Sequence, residues 1–152
     1  MRRKEKEILD REEIESIISK TDVCRLGLSV DNNPYIVPLN FGYRDNCFYL
    51  HTPKVGKKID MIKTNNRVCF EMDIDCEMVR AENPCDWAMK FRSVIGYGRA
   101  SLLDDTEEKR RALDIIVEHC SGQVNEYNQK LLDRLVIIKV EIDSMTGKKS
   151  GY

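Results

Sequence analysis

From Val23 onward the apolar residues of this chain recur at every second position, and that period of two limits the fold more than any other feature. Cys24–Val30 (CRLGLSV) alternates, with Leu26 and Leu28 on one face. Asp31-Asn32-Asn33-Pro34 has the composition of a turn, Tyr35–Tyr43 (YIVPLNFGY) returns as a strand, and Arg44-Asp45-Asn46 turns the chain again into Cys47–Thr52 (CFYLHT). Runs of this length joined by tight turns predict an antiparallel meander. Arg67–Asp73 (RVCFEMD) alternates once more, with Val68, Phe70 and Met72 together. Phe91–Leu103 (FRSVIGYGRASLL) is expected as a long strand in which Gly96 and Gly98 mark a bend or a close backbone approach, and Leu135–Ile142 (LVIIKVEI) as the closing strand. Pro38 cannot donate to a ladder, so its strand position should be an edge or a bulge. Asn40, on the same face, is a polar amide in an apolar run and needs partners: solvent, the core, or a flat polar heterocycle.

Helices flank and interrupt these strands. Asp10 with Glu13 resembles a capping box ahead of an Ile14, Ile17, Ile18 stripe. Lys57–Asn65 is predicted as a short helix between the third and fourth strands, Asp105–Cys120 as a longer one, and Asn128–Leu132 as a weak one. Ile74–Ala88 is polar and reads as a long irregular loop. The expected class is mainly β (α+β): a closed or half-open antiparallel barrel of about six strands with flanking helices.

The 152 residues suit one domain over 1–152, with a core large enough to fold unaided. A net charge of −1 supplies no basic field for nucleic acid. No apolar run has the length of a membrane span and the start, MRRKEKEILD, lacks the apolar block of a signal peptide, so a cytoplasmic protein is expected. Six cysteines show no C-x-x-C pair, and Cys24, Cys47 and Cys69 lie in strand-like runs, where free thiols act as small apolar groups. No metal site is expected.

The stretch His51–Lys63 (HTPKVGKKIDMIK) carries the functional signal. It leaves a strand, crosses a Pro/Gly loop and enters a helix that begins with Lys57 and Lys58. A helix N-terminus already holds partial positive charge and unbonded N–H groups, so two lysines there are locally unfavourable. A bound phosphate would remove the conflict; lysines swung into solvent are the alternative.

Four segments in order, VPLNFGY at 37–43, FYLHT at 48–52, GKKIDMIKTNNRVCFEMD at 56–73 and FRSVIGYGRA at 91–100, resemble the flavin-binding split-barrel family of pyridoxamine 5'-phosphate oxidases. Within it the chain is most similar to the nitroimidazole-resistance (Nim-type) branch. Trp87 ahead of Phe91-Arg92-Ser93-Val94, and Met145-Thr146-Gly147-Lys148 at the end, add to the likeness.

The resemblance implies an FMN-binding homodimer with the six-stranded split barrel and the flavin between subunits. Val37, Pro38, Leu39 and Asn40 would lie along the isoalloxazine, with His51 and Thr52 beside the ring or ribityl chain. Gly56, Lys57 and Lys58 would hold the phosphate. Arg92 and Ser93 would reach the polar edge, with the partner subunit as a source, and Arg92 could stabilise charge at the pyrimidine end. Histidine exchanges protons near neutrality, so His51 could protonate a reduced acceptor; a histidine satisfied by backbone is the alternative. Arg92 as a surface ion-pair partner and Trp87 as a packing anchor are the corresponding alternatives. The ending IDSMTGKKSGY lacks the arginine–histidine pattern with which vitamin B6 oxidases grip their substrate. A general FMN oxidoreductase, passing electrons from NAD(P)H to a nitroaromatic-like or quinone-like acceptor, is therefore the expectation. A flavin-binding carrier, sensor or store without turnover, or a pocket for another flat ligand such as haem or a deazaflavin, are the other readings.

Overall fold

The computed structural model describes residues 3–123 and 126–152. A short strand β1 (Glu7–Ile8) and helix α1 (Arg11–Ser19) come first. Asp10 caps α1 by accepting from Glu12 N at 3.0 Å. Glu13 does not complete the capping box. Its carboxylate accepts from Lys149 Nζ at 2.9 Å and ties α1 to the last strand.

β2 (Cys24–Val30) and β3 (Asn33–Leu39) form a hairpin, as do β4 (Gly42–Arg44) and β5 (Cys47–Pro53). Their turns, Asp31-Asn32 (φ 49° and 60°) and Asp45-Asn46 (φ 51° and 60°), use left-handed backbone that Asp and Asn tolerate better than other side chains. Helix α2 (Lys57–Thr64) leads to β6 (Arg67–Val79) and β7 (Ala88–Leu103). Helices α3 (Thr106–Ser121) and α4 (Gln129–Arg134) precede β8 (Leu135–Ser150). All pairings are antiparallel in the order β3-β2-β6-β7-β8-β5-β4, with β1 added to β8. The six predicted strands are all present, and the short β1 and β4 bring the sheet to eight. β3 and β4 are the two ends of this order, yet only Asn40 and Phe41 separate them in sequence. The sheet is thus rolled until its ends adjoin without closing, which makes the fold a split barrel.

Three expectations need correction. Tyr35–Tyr43 is not one strand: it breaks at Asn40-Phe41, because Phe41 turns inward to full burial and meets Phe48 edge-on at 5.3 Å. The run is apolar at nearly every position, so composition hides the jump from one sheet end to the other. The loop at 74–88 is mostly hairpin, with pairs extending to Val79↔Ala88 past an irregularity between Ile74 and Glu77. Its residues from Asp75 to Met89 are exposed, so no apolar face marks it. The closing strand runs on to Ser150 instead of stopping at Ile142. Residues 143–150 are mostly polar, with Met145 the one large apolar side chain, and they are a strand because Gly147 pairs with both Val94 of β7 and Ile8 of β1.

Phe48 and Phe70 pack edge-on at 4.8 Å in the barrel interior among Leu26, Leu50 and Ile138. β8 passes so close to β7 here that a Cβ on Gly96 would run into the Phe70 ring and lie 2.5 Å from Ser144 O. Gly96 therefore marks a close backbone approach, as its place in the strand suggested. Among the described residues no helix is long and apolar enough to cross a membrane.

Candidate functional site

β5 ends at Pro53, and the chain reaches Gly56 with φ of 130°, a conformation side chains rarely adopt. Gly56 begins α2 without a side-chain cap. Its carbonyl accepts from Ile59 N at 2.9 Å and Asp60 N at 3.2 Å, which leaves the N–H groups of Lys57 and Lys58 unbonded among the described residues. Nothing lies within 4 Å of the place a Gly56 Cβ would take, so the approach is open. Lys54 is matched with Asp104 at 2.9 Å, whereas neither Lys57 nor Lys58 has an ion-pair partner among the described residues. Lys57 Nζ rests 4.4 Å from the centroid of the Tyr35 ring, which fixes the start of α2 against β3. The electrostatic conflict inferred from the sequence is present in three dimensions.

Thr52, just before the loop, is 2 % exposed and its Oγ1 has no hydrogen-bond partner. An enclosed hydroxyl without a partner costs about 1–3 kcal/mol. Thr52→Val should therefore raise the melting temperature of flavin-free protein. If the hydroxyl pairs with a ligand, the same variant weakens flavin binding about tenfold, the value of one such bond. Calorimetry with and without flavin reads both effects.

β3 is an edge strand, one of the two placements Pro38 allowed. Val37 and Leu39 face Leu26 and Cys24 and pack half-buried against the core, while Pro38 points outward opposite Arg25. Pro34 and Pro38 share a phase, and their missing N–H groups fall on the open edge, where the β2 ladder loses nothing. The side chains of Val37 and Leu39 thus serve the core, and their segment offers an open backbone edge to a ligand. Asn40 lies beyond the end of β3, exposed, with Nδ2 donating to Asp22 O at 3.0 Å. Gly42, two residues further on, pairs with Tyr49 of β5. His51 itself is exposed opposite Ile137. The contact of Lys57 with Tyr35 brings the start of α2 beside β3, and Thr52 lies four residues before Gly56.

Arg92 and Ser93 do not join them within one chain. Pro38 pairs with Arg25, Arg25 with Glu71 and Glu71 with Ile95, so β7 lies three strand spacings away, about 14 Å. Arg92 forms an ion pair with Asp75 and sits 4.1 Å over the Tyr152 ring. Ser93 is buried opposite Asp73 and Lys148. The other histidine, His119, is occupied in packing: Nε2 donates to Thr21 O at 2.9 Å and the ring lies 4.5 Å from Phe41.

Sequence reasoning missed two neighbours of the site, Tyr35 beneath Lys57 and Arg25 beside Pro38. The outward phase of Arg25 in CRLGLSV was the available signal. Arg25 reaches Glu71 at 3.0 Å and Asp73 at 2.5 Å. The Cys76 thiol, 2.9 Å from Asp73, together with Arg25, holds the Asp73 carboxyl below its usual range, and burial pushes Glu71 up. Beside this cluster lies an apolar outer row, Ile36–Gly27–Cys69–Tyr97, continued by Ile95 on β7. Ile36 is 66 % exposed, Tyr97 56 % and Ile95 45 %.

An antiparallel split barrel with an open, cationic helix start beside an edge strand defines the class. The family described as pyridoxamine 5'-phosphate oxidase matches residues 10–149. The chain belongs to that family. A solved Bacteroides thetaiotaomicron structure, named for a proposed role in 5-nitroimidazole antibiotic resistance, is 38% identical, with 94% of this chain and 86% of that one covered and a TM-score of 0.84. An FAD and heme binding protein from Mycobacterium smegmatis shares the fold at TM-score 0.86 and 16% identity, over 97% of this chain and 74% of that one. An uncharacterized Rhizobium meliloti protein is 31% identical over 65 residues, 43% of this chain. The match spans 42% of that curated relative, less than half its length.

Proposed function

We propose that the chain is an FMN-binding oxidoreductase that works as a homodimer. The observation that carries this reading is the unbonded, uncapped start of α2 with Lys57 and Lys58 unmatched in charge beside the open edge of β3. Gly56, Lys57 and Lys58 would hold the phosphate by backbone N–H groups and ammonium charge. Thr52 would offer its hydroxyl nearby. The edge of β3 at Val37, Pro38 and Leu39, with Asn40 and His51 at the split, would border the ring. Bound flavin supplies hydride or electron transfer to an acceptor on its face. His51, exposed near the end of β5, would give a proton to the reduced acceptor.

The spacing of about 14 Å from Pro38 to β7 means Arg92 and Ser93 could serve the same ring only from a second copy. The apolar row at Ile36, Tyr97 and Ile95 is the surface on which we seat that copy. Both signs of charge in Arg25, Glu71 and Asp73 lie beside it, so a two-fold axis can match each with its opposite. The 38% identical relative named for 5-nitroimidazole resistance supports a nitroaromatic acceptor. A quinone-like acceptor and an NAD(P)H donor are part of the proposal, and the turnover assay tests them.

Protein purified without added cofactor should be yellow, and chromatography of the released flavin should give FMN. FAD would correct the cofactor, and colourless protein that takes up no FMN would end the proposal. NAD(P)H oxidation with nitroaromatic and quinone acceptors tests turnover; bound flavin with no turnover would favour the carrier reading.

A further inference from the structure

Among the described residues Lys109 is the one charged residue that is buried, at 2 % exposure. It lies in the first turn of α3, where its N–H donates to Asp105 O at 3.0 Å and the helix end is already positive. A buried ammonium in that place needs an anion and hydrogen-bond partners. Asp104 supplies the anion, with Oδ1 2.5 Å from Lys109 Nζ. Asp105 caps α3 through Glu107 N and Glu108 N, which leaves the Asp104 carboxylate uncommitted to the helix. Lys109 Nζ also donates to Leu132 O at 2.9 Å, in the last turn of α4, where carbonyls lack intrahelical partners.

The same carboxylate reaches a second cation. Lys54 Nζ stands 2.9 Å from its Oδ1 and 3.2 Å from its Oδ2. The two ammonium groups, Lys109 foremost, hold the Asp104 carboxyl below its usual range. Pro53 pairs with Leu135 and Leu103 with Ile137, so the chain leaves β5 and β7 at one end of the sheet, on either side of β8 and about 10 Å apart. Asp104 bridges that gap. Lys54 is two residues ahead of Gly56, whose backbone turns the chain into the cradle at Lys57 and Lys58. Val55 is exposed and nothing approaches the Cβ position of Gly56, so neither residue packs the loop down. The grip on Lys54 does.

We propose that Asp104 is a positioning residue for the phosphate cradle. Fixed by the buried Lys109, it holds Lys54 and so sets the 54–56 loop, presenting the N–H groups of Lys57 and Lys58 before a phosphate arrives. A loop ordered in advance loses less freedom on binding, so affinity rises without a contact between Asp104 and the ligand. The inference rests on the phosphate reading of the α2 start, and every contact it uses lies within one chain. Charge counting alone predicts the opposite sign: Asp104 is an anion beside the loop, and its removal should strengthen the hold on a phosphate.

Asp104→Asn in the full chain, stripped of flavin, decides between the two signs. FMN should bind about tenfold more weakly than to the parent, while riboflavin, which has the same ring and no phosphate, should bind within about twofold of it. Nitrogen-15 relaxation should show the amide order parameters of Val55 and Gly56 falling from the range of β5 to below about 0.6. Loss of the carboxylate charge beside Lys109 threatens the fold, so Asp104→Asn is also combined with Lys109→Met, which replaces the buried pair by neutral groups. The double variant should show the same two effects. Unchanged or tighter FMN binding, an equal loss of riboflavin, or unaltered order parameters at Val55 and Gly56 would overturn the proposal. A parent that binds riboflavin as well as FMN would overturn the phosphate reading and this inference with it, so the parent alone tells the two failures apart.

Discussion

Lys57→Ala combined with Lys58→Ala is expected to weaken FMN binding by 2–5 kcal/mol, about 30-fold to several thousand-fold, while the fold is kept. The asymmetry follows from where the two lysines stand. In flavin-free protein they sit at the positive end of α2 with no ion-pair partner among the described residues, Asp60 being the acidic residue of that turn, so their removal relieves about 0.3–1 kcal/mol of unfavourable dipole interaction. Against this stands the Lys57 contact with Tyr35, worth about 0.5–1 kcal/mol at an exposed site. The two nearly cancel, and the melting temperature should barely move. With a phosphate present both ammonium groups gain a doubly charged partner over open N–H groups, and that gain disappears in the variant. Flavin fluorescence titration at two salt concentrations reads the loss, and the parent alone should lose affinity steeply as salt rises. Unchanged affinity would place the phosphate elsewhere on the chain.

The parts of this fold that were legible before the structure are those with one wet and one dry face. CRLGLSV and RVCFEMD alternate because Leu26, Leu28, Phe70 and Met72 are buried while Arg25 and Glu71 meet solvent. The Asp-Asn turns were legible because left-handed backbone selects those side chains. What was hidden had either no dry face or no wet one. Asp75–Val79 is a strand exposed throughout, and residues 143–150 are a strand by virtue of backbone partners on both sides. Phe41 sits in a run apolar at nearly every position, so the break that carries the chain from β3 to β4 leaves no trace in the pattern. The site shared this division. Lys57 and Lys58 were conspicuous because they contradict local electrostatics. Arg25 and Tyr35 obey local rules as ordinary strand residues, and only the pairing of β2 with β3 and the packing of α2 reveal their position.

Tyr97→Asp together with Ile36→Asp should convert the proposed dimer to a monomer and reduce flavin affinity in the same step. These side chains project outward from one row of the sheet, and each large apolar group covered by a second copy contributes about 1.5–3 kcal/mol. Placing a carboxylate at each position removes that gain and adds the cost of burying charge, so dimer dissociation should strengthen by several orders of magnitude. The monomer itself should remain folded, because in the isolated chain both positions already face solvent. Flavin should follow the dimer, since β7, which carries Arg92 and Ser93, lies three strand spacings, about 14 Å along the sheet, from the β3 edge of its own chain. Sedimentation and flavin titration on the same sample separate the possibilities. A monomer that keeps full flavin affinity would mean the ring is held by one subunit, and an unaltered dimer would mean the second copy sits on another face.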